Sequence, residues 1–105
     1  MTIMQAEAGV LDQIAVEAQI ERPKMYCVVL HNDDTTTFDF VIAVLIGIFH
    51  HTPETAVSIT NDIHHTGNGV AGGPYTREIA EEKYMEVTHF SRANGFNLVA
   101  SVDEA

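Results

Sequence analysis

The chain has one cysteine, Cys27, and no tryptophan in 105 residues. A single thiol excludes an internal disulfide and any cysteine-built metal cluster, and its place in the apolar run Tyr26-Cys-Val-Val-Leu30 marks it as buried and inert. Basic residues are scarce: five Lys and Arg stand against 15 Asp and Glu, a formal net charge of -10 at pH 7. Nucleic acid is therefore not an expected partner, because phosphate neutralisation needs clustered cations, and neither is an anionic membrane surface. The same field favours a cationic ligand, such as an ammonium group or a basic partner face. The longest apolar run, Phe40 to Phe49, is too short to span a bilayer. No Lys or Arg precedes Arg22 and no uninterrupted apolar core follows, so nothing there resembles a secretory signal, and the cytoplasm is the expected compartment.

What is present suits one small domain, 46% hydrophobic, preceded by an extension. Residues 1–24 read as a flexible appendage closed by Arg22-Pro23; Leu11, Ile14, Ala15 and Ala18 share one helical face, but an isolated helix of that length is marginal in water. Residues 25–105 form the core domain. Tyr26 to His31 is rich in β-branched and aromatic residues and predicts a buried strand, which Asn32-Asp33-Asp34 breaks. Thr36 or Thr37 caps a helix running to Phe49, with Asp39 in its first turn and a stripe of Val41, Val44, Leu45 and Ile48. Ile42 and Ile46 lie off that stripe, so this helix is covered on more than one side or lines a pocket. Thr52-Pro53-Glu54 starts a second helix that stops at Gly67. Gly67-Asn-Gly69 and Gly72-Gly73-Pro74 bracket a short Val70-Ala71 piece, read as a weak edge strand. Thr76 caps a third helix, Arg77 to Asn94, with Ala80, Tyr84, Val87 and Phe90 inward, and Leu98 to Val102 is a closing strand. The order predicts a small α+β sandwich.

Three separated blocks carry a family likeness. Met25-Tyr-x-Val-Val-Leu-x-Asn32-Asp33-Asp34-x-Thr36 with Phe40-Val41-x-x-Val44-Leu45 resembles the ClpS adaptors of the Clp proteases, as do Ile63-His64-x-x-Gly67 and Tyr75-Thr76-Arg77-Glu78-Ile79-Ala80-Glu81-x-Lys83. The resemblance implies a three-stranded antiparallel sheet packed with three helices, also the fold of the ribosomal stalk protein's carboxyl domain. It implies an adaptor without catalytic residues or cofactor, which carries proteins with destabilising N-terminal residues (Leu, Phe, Tyr or Trp) to the amino-terminal domain of a ClpA- or ClpC-type unfoldase. A monomer is expected.

By this resemblance Asn32, Asp33 and His64 hold the ligand's α-amino group. An ammonium has three donors, and an amide oxygen, a carboxylate and a neutral imidazole nitrogen would accept them. Asp34 is the neighbour that orders the loop or touches the peptide backbone. Thr36, Phe38, Val41, Thr60, Ile63 and Leu98 line the hole for the first side chain, whose filling by Leu or Phe contributes about 1.5–3 kcal/mol. Many relatives have Thr-Pro-Met where this chain has Thr36-Thr37-Phe38, the Met serving as a gate, and a bulky apolar residue where it has Thr60. A larger gate and a smaller wall predict preference for Phe, Tyr and Trp over Leu. Tyr75, Thr76, Glu78 and Lys83 match the block that meets the unfoldase, and the extension takes part in delivery.

Read without the resemblance, the same features have plainer meanings. Asn-Asp-Asp is an ordinary turn, Phe38, Val41 and Ile63 are core, and Thr76-x-Glu78 is capping chemistry. The six histidines raise a metal-binding protein as an alternative, although His50-His51 and His64-His65 are adjacent pairs that diverge on a helix. A structural interaction module of the stalk type is the third reading, and it has no use for an ammonium trap.

Overall fold

Strand β1, Tyr26–His31, is the middle of the sheet because its alternate residues Val28 and Leu30 are fully buried against the helices. The computed structural model describes residues 23–105. The expectations for the extension, including the Leu11, Ile14, Ala15 and Ala18 face, fall almost wholly outside these residues. Helices α1 (Phe38–Gly47) and α2 (Pro53–Thr66) follow β1, then strand β2 (Asn68–Tyr75), helix α3 (Arg77–Ala93) and strand β3 (Val99–Glu104). The sheet has three strands in the order β2-β1-β3, with both pairings antiparallel. This is the expected α+β fold.

Each helix begins on a threonine whose hydroxyl accepts from the first turn: Thr37 from the Phe40 N–H at 3.2 Å, Thr52 from Thr55 at 3.2 Å and Thr76 from Ile79 at 3.4 Å. Helix α2 stops at Gly67, whose φ of 96° is left-handed and lets its N–H reach the Ile63 carbonyl at 2.9 Å. The core gathers Val44, Leu45 and Val87 around β1, and Phe40 packs between Phe90 and Phe96 at centroid distances of 5.1 and 4.5 Å.

Three expectations need correction. The Val70–Ala71 piece is part of an eight-residue strand, Asn68–Tyr75, on the sheet edge. Its extra residues, Ala71 and the Gly73-Pro74 step, are absorbed as register shifts opposite Val28–Val29 and Tyr26–Val28, while Gly69 and Gly72 pair with Leu30 and Val28. Gly73 sits at φ 136° with its α-carbon so near β1 that an added Cβ would lie 3.0 Å from Cys27 Cα and from Tyr26 O. On α3 the innermost residues are Ala80, Val87 and Ser91, while Tyr84 (38% exposed) and Phe90 (41% exposed) flank them, because the narrow sheet covers only one stripe of the helix. The closing strand runs Val99–Glu104, and Leu98 is a buried residue just before it.

Candidate functional site

At the end of β1 the chain leaves the sheet as a polar lip over an apolar hole. Asn32, Asp33, Asp34 and His64 line the opening, and Thr36, Phe38, Val41, Thr60, Ile63 and Leu98 line the cavity, about 250 Å³ in volume. Every residue expected at the ammonium position and in the side-chain hole is thus gathered around one space. They arrive from four places: the β1–α1 turn, the start of α1, the last turns of α2 and the residue before β3. A backbone bond from Asn32 N–H to Gly67 O at 2.8 Å ties the lip to the end of α2, which sets Asn32 beside His64.

Asp33 is the organiser of the lip. Its Oδ2 accepts the hydroxyls of Thr35 and Thr36, each at 2.7 Å, and its main-chain carbonyl accepts the Thr36 N–H at 3.2 Å. The Thr35 hydroxyl first, then the Thr36 hydroxyl, holds the Asp33 carboxyl below the usual carboxylate range. Both hydroxyls sit on Oδ2 and the main-chain N–H groups of Thr35 and Thr36 add smaller contributions, so the carboxylate is held as a fixed acceptor at the lip. Asp34 was expected to order this loop or touch ligand. It is exposed, and the ordering bonds belong to Asp33.

The hole is apolar in the surface it offers. Ile63 and Leu98 are buried at 2% and 5% exposure. Thr60 is 3% exposed, and its hydroxyl donates to the Ala56 carbonyl at 2.7 Å, which leaves its methyl as the free face. Phe38 is not core: it is 41% exposed and stands edge-on to His64, ring centroids 6.1 Å apart, at the mouth. The lip can accept hydrogen bonds from a small cation, and the hole can take an apolar group attached to it. Among the described residues no three of His, Cys, Asp or Glu lie together so as to hold a metal ion.

The sequence profile of the family described as ATP-dependent Clp protease adaptor protein ClpS matches residues 21–101. The chain belongs to the ClpS family. It is 45% identical to the ClpS adapter protein of Clostridium acetobutylicum over 93 residues, 89% of this chain and 91% of that one. It is 45% identical to that of Lawsonia intracellularis over 92 residues, 88% of this chain and 84% of the relative. Among solved structures, Agrobacterium tumefaciens ClpS2 bound to L-phenylalaninamide superposes with a TM-score of 0.75 at 34% identity, covering 80% of this chain and all (100%) of that chain. ClpS proteins are adaptors of the Clp protease and not catalysts.

The ClpS block expected to meet the unfoldase lies at the other end of β1, about 17 Å of strand from the lip. Tyr75, which pairs with Tyr26, is half-buried; burial pushes its phenol pKa up. The Thr76 hydroxyl is engaged as the helix cap, and Glu78 is exposed in the first turn of α3. Lys83 is separate from them: its side chain is 19% exposed and its ammonium donates to the Ile48 carbonyl at 2.9 Å, past the end of α1, with Glu86 at 3.9 Å. No helix among the described residues is long and apolar enough to cross a membrane.

Two residues that shape the site carry no signal in the family blocks. Ser91 is 1% exposed; its hydroxyl donates to Phe96 O at 2.9 Å and accepts the Leu98 N–H at 3.0 Å, fixing the wall that Leu98 gives the hole. A polar residue four positions after Val87 on a core stripe is the clue that was available. His31 also lines the cavity, with Nε2 2.8 Å from Ser101 Oγ.

Proposed function

We propose that this adaptor captures proteins by a free amino terminus bearing Phe, Tyr, Trp or Leu and delivers them to a ClpA- or ClpC-type unfoldase. Asn32, Asp33 and His64 accept the three ammonium donors, and the side chain descends between Phe38, Val41, Thr60, Ile63 and Leu98. The observation that carries this reading is the fixed Asp33 carboxylate above an apolar hole. A charged acceptor strengthens each hydrogen bond, while the apolar wall selects the side chain. The wide Thr60 wall supports aromatic residues ahead of Leu. Similarity to a ClpS2 that holds L-phenylalaninamide supports the same ligand class.

Delivery is assigned to Tyr75, Thr76, Glu78 and Lys83 together with residues 1–24, acting in a cytoplasmic monomer. The first test is titration with C-terminally labelled peptides led by Phe, Leu, Ile and Ala, beside an N-acetylated Phe peptide. Acetylation removes the ammonium and should abolish binding; an acetylated peptide that binds as well as the free one refutes the reading. Removing residues 1–24 should spare peptide binding and impair degradation of a model substrate. Loss of both would refute the division of labour.

A further inference from the structure

The lip has a second space on its far side. A groove of about 430 Å³ lies between α3 and the start of β3, and Asp33 and Leu98, which also wall the hole, are shared between the two. Its sides are Tyr84, Thr88 and Arg92 on α3 and Val99 on β3. Among the described residues strand β3 is at the sheet edge and pairs with β1 alone, so its outer backbone groups have no strand partner there. Of the cations among the described residues, Lys24, Arg77 and Lys83 stand in ion pairs and Arg92 does not.

We infer that this groove receives the polypeptide that follows the captured N-terminal residue, in extended form along β3, with Arg92 favouring an acidic side chain. The inference rests on the proposed N-terminal capture. A chain whose first residue is held at Asp33 leaves the hole past the lip, and the groove begins at Asp33 on the lip and Leu98 in the wall. An extended ligand advances about 3.3 Å per residue, and Val99 and Ala100, the first residues of β3, border the groove beside Leu98, so about two or three residues of ligand lie along it. Binding beside a sheet edge uses main-chain hydrogen bonds, which do not depend on sequence and suit an adaptor with many substrates. Arg92 then supplies a local preference against the general field, since the net charge of -10 favours basic ligands overall.

The experiment compares phenylalaninamide, a Phe-led dipeptide and a Phe-led heptapeptide by competition on the full chain. The heptapeptide should bind about ten-fold more tightly than the dipeptide. Thr88→Trp, which fills the groove, should remove that length dependence while leaving phenylalaninamide unchanged, showing that fold and hole are intact. Glu against Lys, placed in turn at each later position, should differ between wild type and Arg92→Glu by about two- to five-fold at one or two neighbouring positions, Glu favoured only in wild type. Equal affinity of dipeptide and heptapeptide, with phenylalaninamide still bound, overturns the groove and leaves N-terminal capture standing. Failure of phenylalaninamide itself to bind wild type removes the capture reading and this inference with it. If Thr88→Trp leaves every peptide affinity intact but stops delivery, the groove belongs to the unfoldase and the inference is wrong.

Discussion

Thr60→Met is the substitution that bears most directly on what this adaptor selects. Thr60 is almost wholly buried, its hydroxyl is satisfied within α2, and its methyl faces a hole of about 250 Å³. Methionine is a better helix former, and Ala56 O keeps its helical N–H partner, so stability should change little. Its chain reaches two atoms past the γ position, into the volume an aromatic ring would fill. Overpacking of this kind costs about 1–3 kcal/mol, and a flexible thioether yields enough to hold the figure near about 1–2 kcal/mol. Affinity for a Phe-led peptide should therefore fall about 5- to 30-fold. A Leu-led peptide is shorter and should stay within about three-fold of wild type, or gain up to about 0.8 kcal/mol from one new methylene contact. Fluorescence anisotropy titration of both peptides, with thermal melts as a control on folding, measures the ratio. Equal weakening of the two, or no change in either, refutes the placement of Thr60 as the wall that admits aromatic side chains.

His64→Ala should weaken binding of a Phe-led peptide by about 1.5–3 kcal/mol, because it removes one acceptor from a charged donor; unchanged affinity in titration excludes the imidazole acceptor. Asp33 stays ionised between about pH 5.5 and 7.5, since its carboxyl is held below the usual range; what it adds to folding is present above that range and lost only as pH falls through its lowered value. Ser91→Ala should cost about 1–3 kcal/mol in urea unfolding by leaving the buried Leu98 N–H unpaired, and should weaken Phe-peptide binding as that wall loosens; unchanged stability contradicts it. Gly73→Ala should cost about 1–3 kcal/mol through its positive φ and the approach to Cys27, with ligand affinity unchanged below the melt because the site is at the other end of β1.

Helix starts were legible because their chemistry is local: Thr52-Pro53 and Thr76 need only their own first turns. The end of α2 at Gly67, at positive φ, is local in the same way. The candidate site residues were picked out through blocks with the ClpS spacing; their gathering around one cavity is helped by the Asn32–Gly67 bond, which joins residues 35 positions apart and leaves no pattern in either segment. Phe38 shows the limit of hydropathy, since an aromatic at the start of an apolar helix reads equally as core or as rim, and only the placement of His64 across from it decides. Strand β2 was misread as a short piece because glycine signals freedom without saying how it is used, and register is set by the partner strand. Ser91 was missed because its partners, Phe96 O and Leu98 N–H, lie beyond the helix.

The bond between Asn32 and Gly67 has a kinetic consequence. The lip is fastened to α2 and both Thr hydroxyls are seated on Asp33, so its acceptors are ordered without a ligand. Under the proposed capture of amino termini a preformed lip calls for little rearrangement on binding, and right and wrong termini then arrive at the same rate. They differ in how long they remain, and a substrate's fate is set by whether that dwell time outlasts the wait for the unfolding machine.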